Sequence, residues 1–117
     1  MAITLNGNLL ELCVLGLVYR EDQYGYRLTR QMKEKFDLSE SSLYPVLRRL
    51  TRSGLLRTYD LPYDGRMRRY YALTEEGKEM YYALRAEWMT FSKRINEVLP
   101  DDGVHDSAKG EMNDDQS

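Results

Sequence analysis

Apolar positions recur along the first hundred residues with changing periods, and the periods mark the elements. Residues Leu9 to Tyr19 (LLELCVLGLVY) are apolar on nearly every side. The run is too long for one strand and rich in Leu, so it predicts a helix over 8–20. A helix apolar all round must be covered on most faces, which one small domain can hardly do alone. The run therefore points to a partner chain. Leu28, Met32 and Phe36 follow at i, i+4 and i+8, with Arg27, Arg30, Lys33 and Glu34 between them. That spacing predicts an amphipathic helix over 24–36.

Asp37-Leu38-Ser39 interrupts the pattern, and Ser39-Glu40-Ser41-Ser42 supplies an N-cap cluster for a third helix. This helix is predicted over 39–53, with Gly54 as its stop. Leu43, Val46, Leu47 and Leu50 share one face. At 100° per residue the opposite face centres on Ser41, Pro45, Arg48 and Arg52, with Tyr44 and Arg49 at its edges. Pro45 removes one i→i−4 bond, which asks for a start nearer Ser41 or Ser42, or for an irregular first turn. Leu55 to Leu61 and Met67 to Leu73 are rich in β-formers and flank Asp64-Gly65, a strong hairpin signal. Thr74-Glu75-Glu76 then opens a long helix. Tyr81, Leu84, Trp88, Phe91, Ile95 and Val98 step along it as a heptad seam that ends at Pro100. Gly77 near its start costs about 1 kcal/mol relative to Ala.

Helix, helix, helix, hairpin, long helix is the order of a winged helix-turn-helix with an association helix. The fold class is mainly α with a β-hairpin wing. The predicted organisation is a DNA-binding domain over 1–73 (wing 55–73), a dimerisation helix over 74–100 and a disordered acidic tail over 101–117. A major groove admits one helix, which needs an apolar face for its scaffold and a basic face for DNA. The helix over 39–53 has both. Ser41, Ser42, Tyr44, Arg48, Arg49 and Arg52 are its candidate DNA contacts, joined by Arg66 and Arg68 on the wing. Arg69 alternates with Tyr71 and Leu73, which leaves it free to point inward and pair with a carboxylate. The candidate dimer interface is Leu9, Leu12, Leu84, Trp88, Phe91, Ile95 and Val98.

Charge sharpens this picture. The 117 residues carry a net charge of −2, yet residues 27–69 hold 11 basic against 5 acidic side chains, and residues 101–117 hold one Lys against six acidic side chains. A local basic field of that kind suits a polyanion despite the acidic total. The 42% apolar and 31% charged content suits one packed domain. No apolar run approaches the length of a membrane span, and no basic stretch leads into a cleavable apolar core, so neither membrane insertion nor export is expected. A single cysteine, Cys13, can staple nothing within the chain and fits a reducing cytoplasm. His105 is the only histidine and has no partner at metal spacing. Phosphate-binding glycine loops and nucleophile–base sets are absent, so no cofactor and no enzyme is expected.

Gly25-Tyr26, LYPVLRRL over 43–50, SGLL over 53–56 and RRYYALTEEG over 68–77 together resemble the PadR family of transcriptional regulators, over roughly residues 8–99. The resemblance implies a winged helix with one C-terminal dimerisation helix, as in the small subfamily. It implies repression by binding double-stranded DNA as a homodimer, often relieved by a small ligand. The chain lacks the larger C-terminal domain of the phenolic-acid-sensing branch. In size it is more similar to the branch that holds flat aromatic ligands at the dimer interface. A small aromatic or phenolic ligand is therefore expected near Trp88, Tyr81 and Leu84, although Trp88 and Tyr81 on a heptad seam equally suit plain packing. Met32, Met67, Met80 and Met89 read as gap fillers, and Cys13 as a buried thiol. The alternative function is a winged-helix protein-interaction module (an adaptor or antirepressor), which the basic middle of the chain disfavours.

Overall fold

The computed structural model describes residues 3–101. The acidic tail, Asp101 apart, and His105 lie outside the described residues. Seven elements follow in order: α1 (Gly7–Arg20), β1 (Gln23–Tyr24), α2 (Gly25–Phe36), α3 (Glu40–Arg52), β2 (Leu56–Tyr63), β3 (Arg66–Leu73) and α4 (Glu75–Val98). The three strands form an antiparallel sheet in the order β1-β3-β2. Strand β1 was not expected. It is two residues long, too short to carry a period, and it starts where the second helix was expected.

The core gathers one face of each of the first three helices. Leu10, Val14, Leu15 and Val18 of α1 meet Leu28 and Met32 of α2 and Leu43, Val46, Leu47 and Leu50 of α3. Leu56 closes it from the sheet and Leu84 from α4. Each such side chain contributes about 1.5–3 kcal/mol by leaving water. The buried Gln23 amide donates to the Leu17 carbonyl at 3.2 Å and accepts from Gln31 at 3.3 Å, so no amide group there is orphaned.

Local chemistry sets the joints. Asp37 closes α2 in a left-handed conformation (φ 54°), its N–H bonded to the Lys33 carbonyl. Ser39 then caps α3, its Oγ accepting from the Ser42 N–H at 3.2 Å. This is the tight turn of a helix-turn-helix. Pro45 lies inside α3 rather than forcing a later start. The carbonyl it deprives of a donor belongs to Ser41, which is exposed, so the missing bond costs little. Asp64 and Gly65 both have positive φ, 54° and 79°, which is the two-residue hairpin turn that Asp-Gly favours. Thr74 caps α4: its hydroxyl accepts from Gly77 N–H at 2.9 Å and donates to the Gly54 carbonyl at 2.6 Å. Gly77 is required there, because any side chain would strike the Leu55 carbonyl and the Leu73 side chain.

Several expectations are corrected. Met32 is buried, but Met67, Met80 and Met89 are exposed and fill no gap. Cys13 is half-buried: it packs against the core but borders open clefts beside α2. The seam of α4 divides: Leu84 belongs to the protomer's own core and Tyr81 is half-buried against it, whereas Trp88, Phe91, Ile95 and Val98 are exposed. The end of α1 packs on the start of α4, Tyr19 on Tyr81, whereas an open cleft separates Leu9 and Leu12 from Trp88 and Phe91. Among the described residues no helix is long and apolar enough to cross a membrane.

Candidate nucleic-acid interface

The outer face of α3 is exposed from Ser41 to Arg52. Arg48 and Arg52 lie on it four residues apart, and neither makes an ion pair or side-chain hydrogen bond among the described residues. No described carboxylate neutralises their charge. Tyr44 is 39% exposed one turn before Arg48. Tyr71 of β3 borders this face; burial raises its pKa, and the nearby Arg69 and Arg48 charges act in the opposite direction.

Other expected contacts are engaged within the fold. Ser41 and Ser42 turn their hydroxyls to Ser39 Oγ, at 2.8 and 3.1 Å, so they tie the first turn together as well as facing outward. Arg49 departs from the expected outward face. Its Nε and Nη2 donate to one Glu11 oxygen on α1, at 3.1 and 2.7 Å. An edge position on α3 looks sideways onto α1, and the half-covered carboxylate there captures it.

The hairpin separates its arginines by face. Strand alternation puts Arg66, Arg68 and Tyr70 on one side of β3 and Met67, Arg69 and Tyr71 on the other. Arg69 pairs with Asp60 at 3.4 Å while remaining exposed, so it finds a carboxylate without pointing inward. Arg66 adjoins the turn and is exposed. Arg68 lies over two rings, 4.4 Å from the Tyr24 centroid and 3.5 Å from that of Tyr63. Tyr59 and Tyr70 stack at 5.5 Å, and Tyr59 donates to Asp22 at 2.6 Å, which raises the Tyr59 pKa. This aromatic row was not anticipated.

A second region surrounds Trp88. A cleft of about 580 Å³ is lined by Leu9, Leu12, Leu84, Trp88 and Phe91, among others. A second cleft of about 700 Å³ brings Trp88 together with Leu5, Leu12, Cys13 and Phe36. Tyr81 is not brought to either. It lies two turns before Trp88 on the same side of α4, stacked on Tyr19 at 4.5 Å and against Gly16. Among the described residues no acidic, His or Cys cluster could hold a metal ion.

A helix-turn-helix with an open cationic face, followed by an arginine-bearing antiparallel hairpin, defines a winged-helix protein. Residues 14–83 match the transcriptional regulator PadR-like family. A protein of Streptococcus mutans superposes with a TM-score of 0.78 at 34% identity, covering 84% of this chain and 92% of that one. A PadR family transcription regulator of Clostridium difficile superposes at 0.71 with 29% identity, covering 78% and 98%. An uncharacterized protein of Lysinibacillus sphaericus is 32% identical over 93 residues, 74% of this chain and 84% of its own length. The chain belongs to the PadR-like family of transcriptional regulators.

Proposed function

We propose that the protein is a homodimeric repressor that binds a pseudo-palindromic operator in double-stranded DNA. The winged helix of residues 1–73 would make the DNA contacts, and the helix of residues 74–100 would join two copies. The observation that carries the reading is the pair Arg48 and Arg52, two cations on an exposed helix face that pair with no described residue. Unneutralised guanidinium forks suit phosphates and guanine edges. Ser41, Ser42, Tyr44, Arg66 and Arg68 complete the contact set, and Arg49 drops out because Glu11 holds it. Two-fold symmetry would set the recognition helices about 34 Å apart, one DNA turn.

The exposed apolar positions Trp88, Phe91, Ile95 and Val98 on α4, with the partly covered Leu9 and Leu12 on α1, support a second copy as the cover. The clefts beside Trp88 support a flat aromatic or phenolic effector that lies against Trp88 and Leu84 and releases the operator. Tyr81 is no part of that proposal. Selection of bound sequences from random duplexes tests the function. A palindromic consensus, bound with a steep loss of affinity as salt rises, is the expected result. Salt-insensitive association and no consensus would favour a protein-interaction module instead.

A further inference from the structure

Arg66 and Arg68 share one face of the wing but differ in how they are held. Arg68 occupies the central strand β3 and is half-buried. Tyr24 comes from β1 on one edge and Tyr63 from β2 on the other, so rings approach its guanidinium from both sides. The row continues outward, with Tyr24 5.8 Å from Tyr70, Tyr70 stacked on Tyr59, and Arg57 5.6 Å above Tyr59. Among the described residues no carboxylate neutralises Arg68. Asp60 on the opposite face takes Arg69, and Asp22 accepts from Tyr59. The Arg66 side chain, by contrast, makes no ion pair, hydrogen bond or ring contact among the described residues.

We propose that Arg68 is a preset phosphate clamp, with Tyr24 and Tyr63 as its positioning residues, and that groove sensing on the wing falls to Arg66. The inference rests on the DNA-binding reading above. Rings pack against the guanidinium but accept none of its N–H groups in a hydrogen bond, and no described acceptor takes them either. The guanidinium fork matches two oxygens of one phosphate. The rings also restrict the side chain before DNA arrives, so less freedom is lost on contact. Bulk argues against the other role. With ring centroids 3.5 and 4.4 Å from its guanidinium carbon, Arg68 sits in a broader group than a lone side chain, and a minor groove is only about 6 Å wide. Arg66 beside the Asp64-Gly65 turn carries no such rings and is narrow enough to enter.

The test uses the full chain, a mapped operator and a random duplex. Arg68→Ala is expected to weaken both by the same factor, about tenfold, and to lower the salt slope by about 0.9, one phosphate. Tyr63→Leu should reproduce that loss with no change of charge, while Tyr63→Phe, which keeps the ring, should bind like the parent. Arg66→Ala should instead shrink the preference for A·T over G·C beside the contacted grooves. Without DNA, the Arg68 Nε–H should be rigid by ¹⁵N relaxation and become mobile in Tyr63→Leu. An Arg68 Nε–H already mobile in the parent, or Tyr63→Leu binding like the parent, overturns the positioning role. A loss confined to the operator in Arg68→Ala overturns the phosphate role. A parent protein that binds neither duplex defeats the DNA reading itself, and the relaxation result tells the two failures apart.

Discussion

Arg49 of α3 places two donors on a single oxygen of Glu11 in α1, at 3.1 and 2.7 Å. The contact ties α3 directly to α1 and helps set the angle between them. It also silences one cation on an otherwise open face. Glu11→Ala should therefore act in two opposite senses. Stability should fall by about 1 kcal/mol, because the pair is partly exposed. Affinity for a random duplex should rise, with a salt slope steeper by about 0.9, as Arg49 becomes available to a phosphate. Thermal melts and fluorescence anisotropy at several salt concentrations measure both, and an unchanged slope would leave Arg49 a scaffold residue.

Arg48→Ala should cost about 1–3 kcal/mol of operator binding and leave the melting temperature nearly unchanged. The side chain is exposed and supports nothing in the core. Parallel titration and calorimetry separate the two effects, and parent-like affinity would remove Arg48 from the contact set.

Ile95→Glu should give a folded monomer. Ile95 is 40% exposed within one chain, so a carboxylate there is tolerated until a second copy has to cover it. Light scattering should report half the parent mass, circular dichroism should be unaltered, and operator affinity should fall. A dimer of parent-like stability would move the interface off this stretch of α4.

Gly77→Ala tests a steric constraint against a propensity. Alanine gains about 1 kcal/mol of helix preference. Its methyl group would strike the Leu55 carbonyl and Leu73, and such overpacking costs about 1–3 kcal/mol or more. Denaturation should show a net loss, and a gain would mean that the Gly54–Leu55 turn yields easily.

Cys13 predicts a pH effect. Burial pushes its thiol pKa upward, so the folded chain holds the thiol proton more tightly than the unfolded one. The associated stability is intact below the ordinary thiol value and is lost as pH rises through the raised one. Unfolding midpoints should drop across that alkaline window in the parent and drop less in Cys13→Ala. Equal slopes would assign the effect to the tyrosines.

The helices and hairpin were legible because each carries its own period, cap or turn: Ser39 and Thr74 cap where hydroxyls were expected to, and Asp64-Gly65 turns. Strand β1 was not legible, since Gln23 and Tyr24 become a strand only by pairing with Tyr71 and Tyr70. The wing arginines were visible as charge but not as roles. A two-residue turn at Asp64-Gly65 already sets Tyr59 opposite Tyr70 and Tyr63 diagonal to Arg68. Only Tyr24, arriving from the third strand, completes the enclosure of Arg68. Periodicity set Arg49 at the edge of the face that Arg48 centres on, but not its pairing, which depends on Glu11, a residue 38 positions away. Periodicity alone did not divide the long seam, whose first half, Tyr81 and Leu84, packs on the core of the same chain.

The Thr74 hydroxyl bonds at once to the end of the recognition helix, through Gly54, and to the start of α4, through Gly77. That makes it a fulcrum. A rod of 24 residues is about 36 Å long, so tilting it by about 5° at this point swings its far end by about 3 Å. Leverage runs the other way as well: a push on the far end of α4 is borne at Thr74, whose hydroxyl also holds the turn that ends α3.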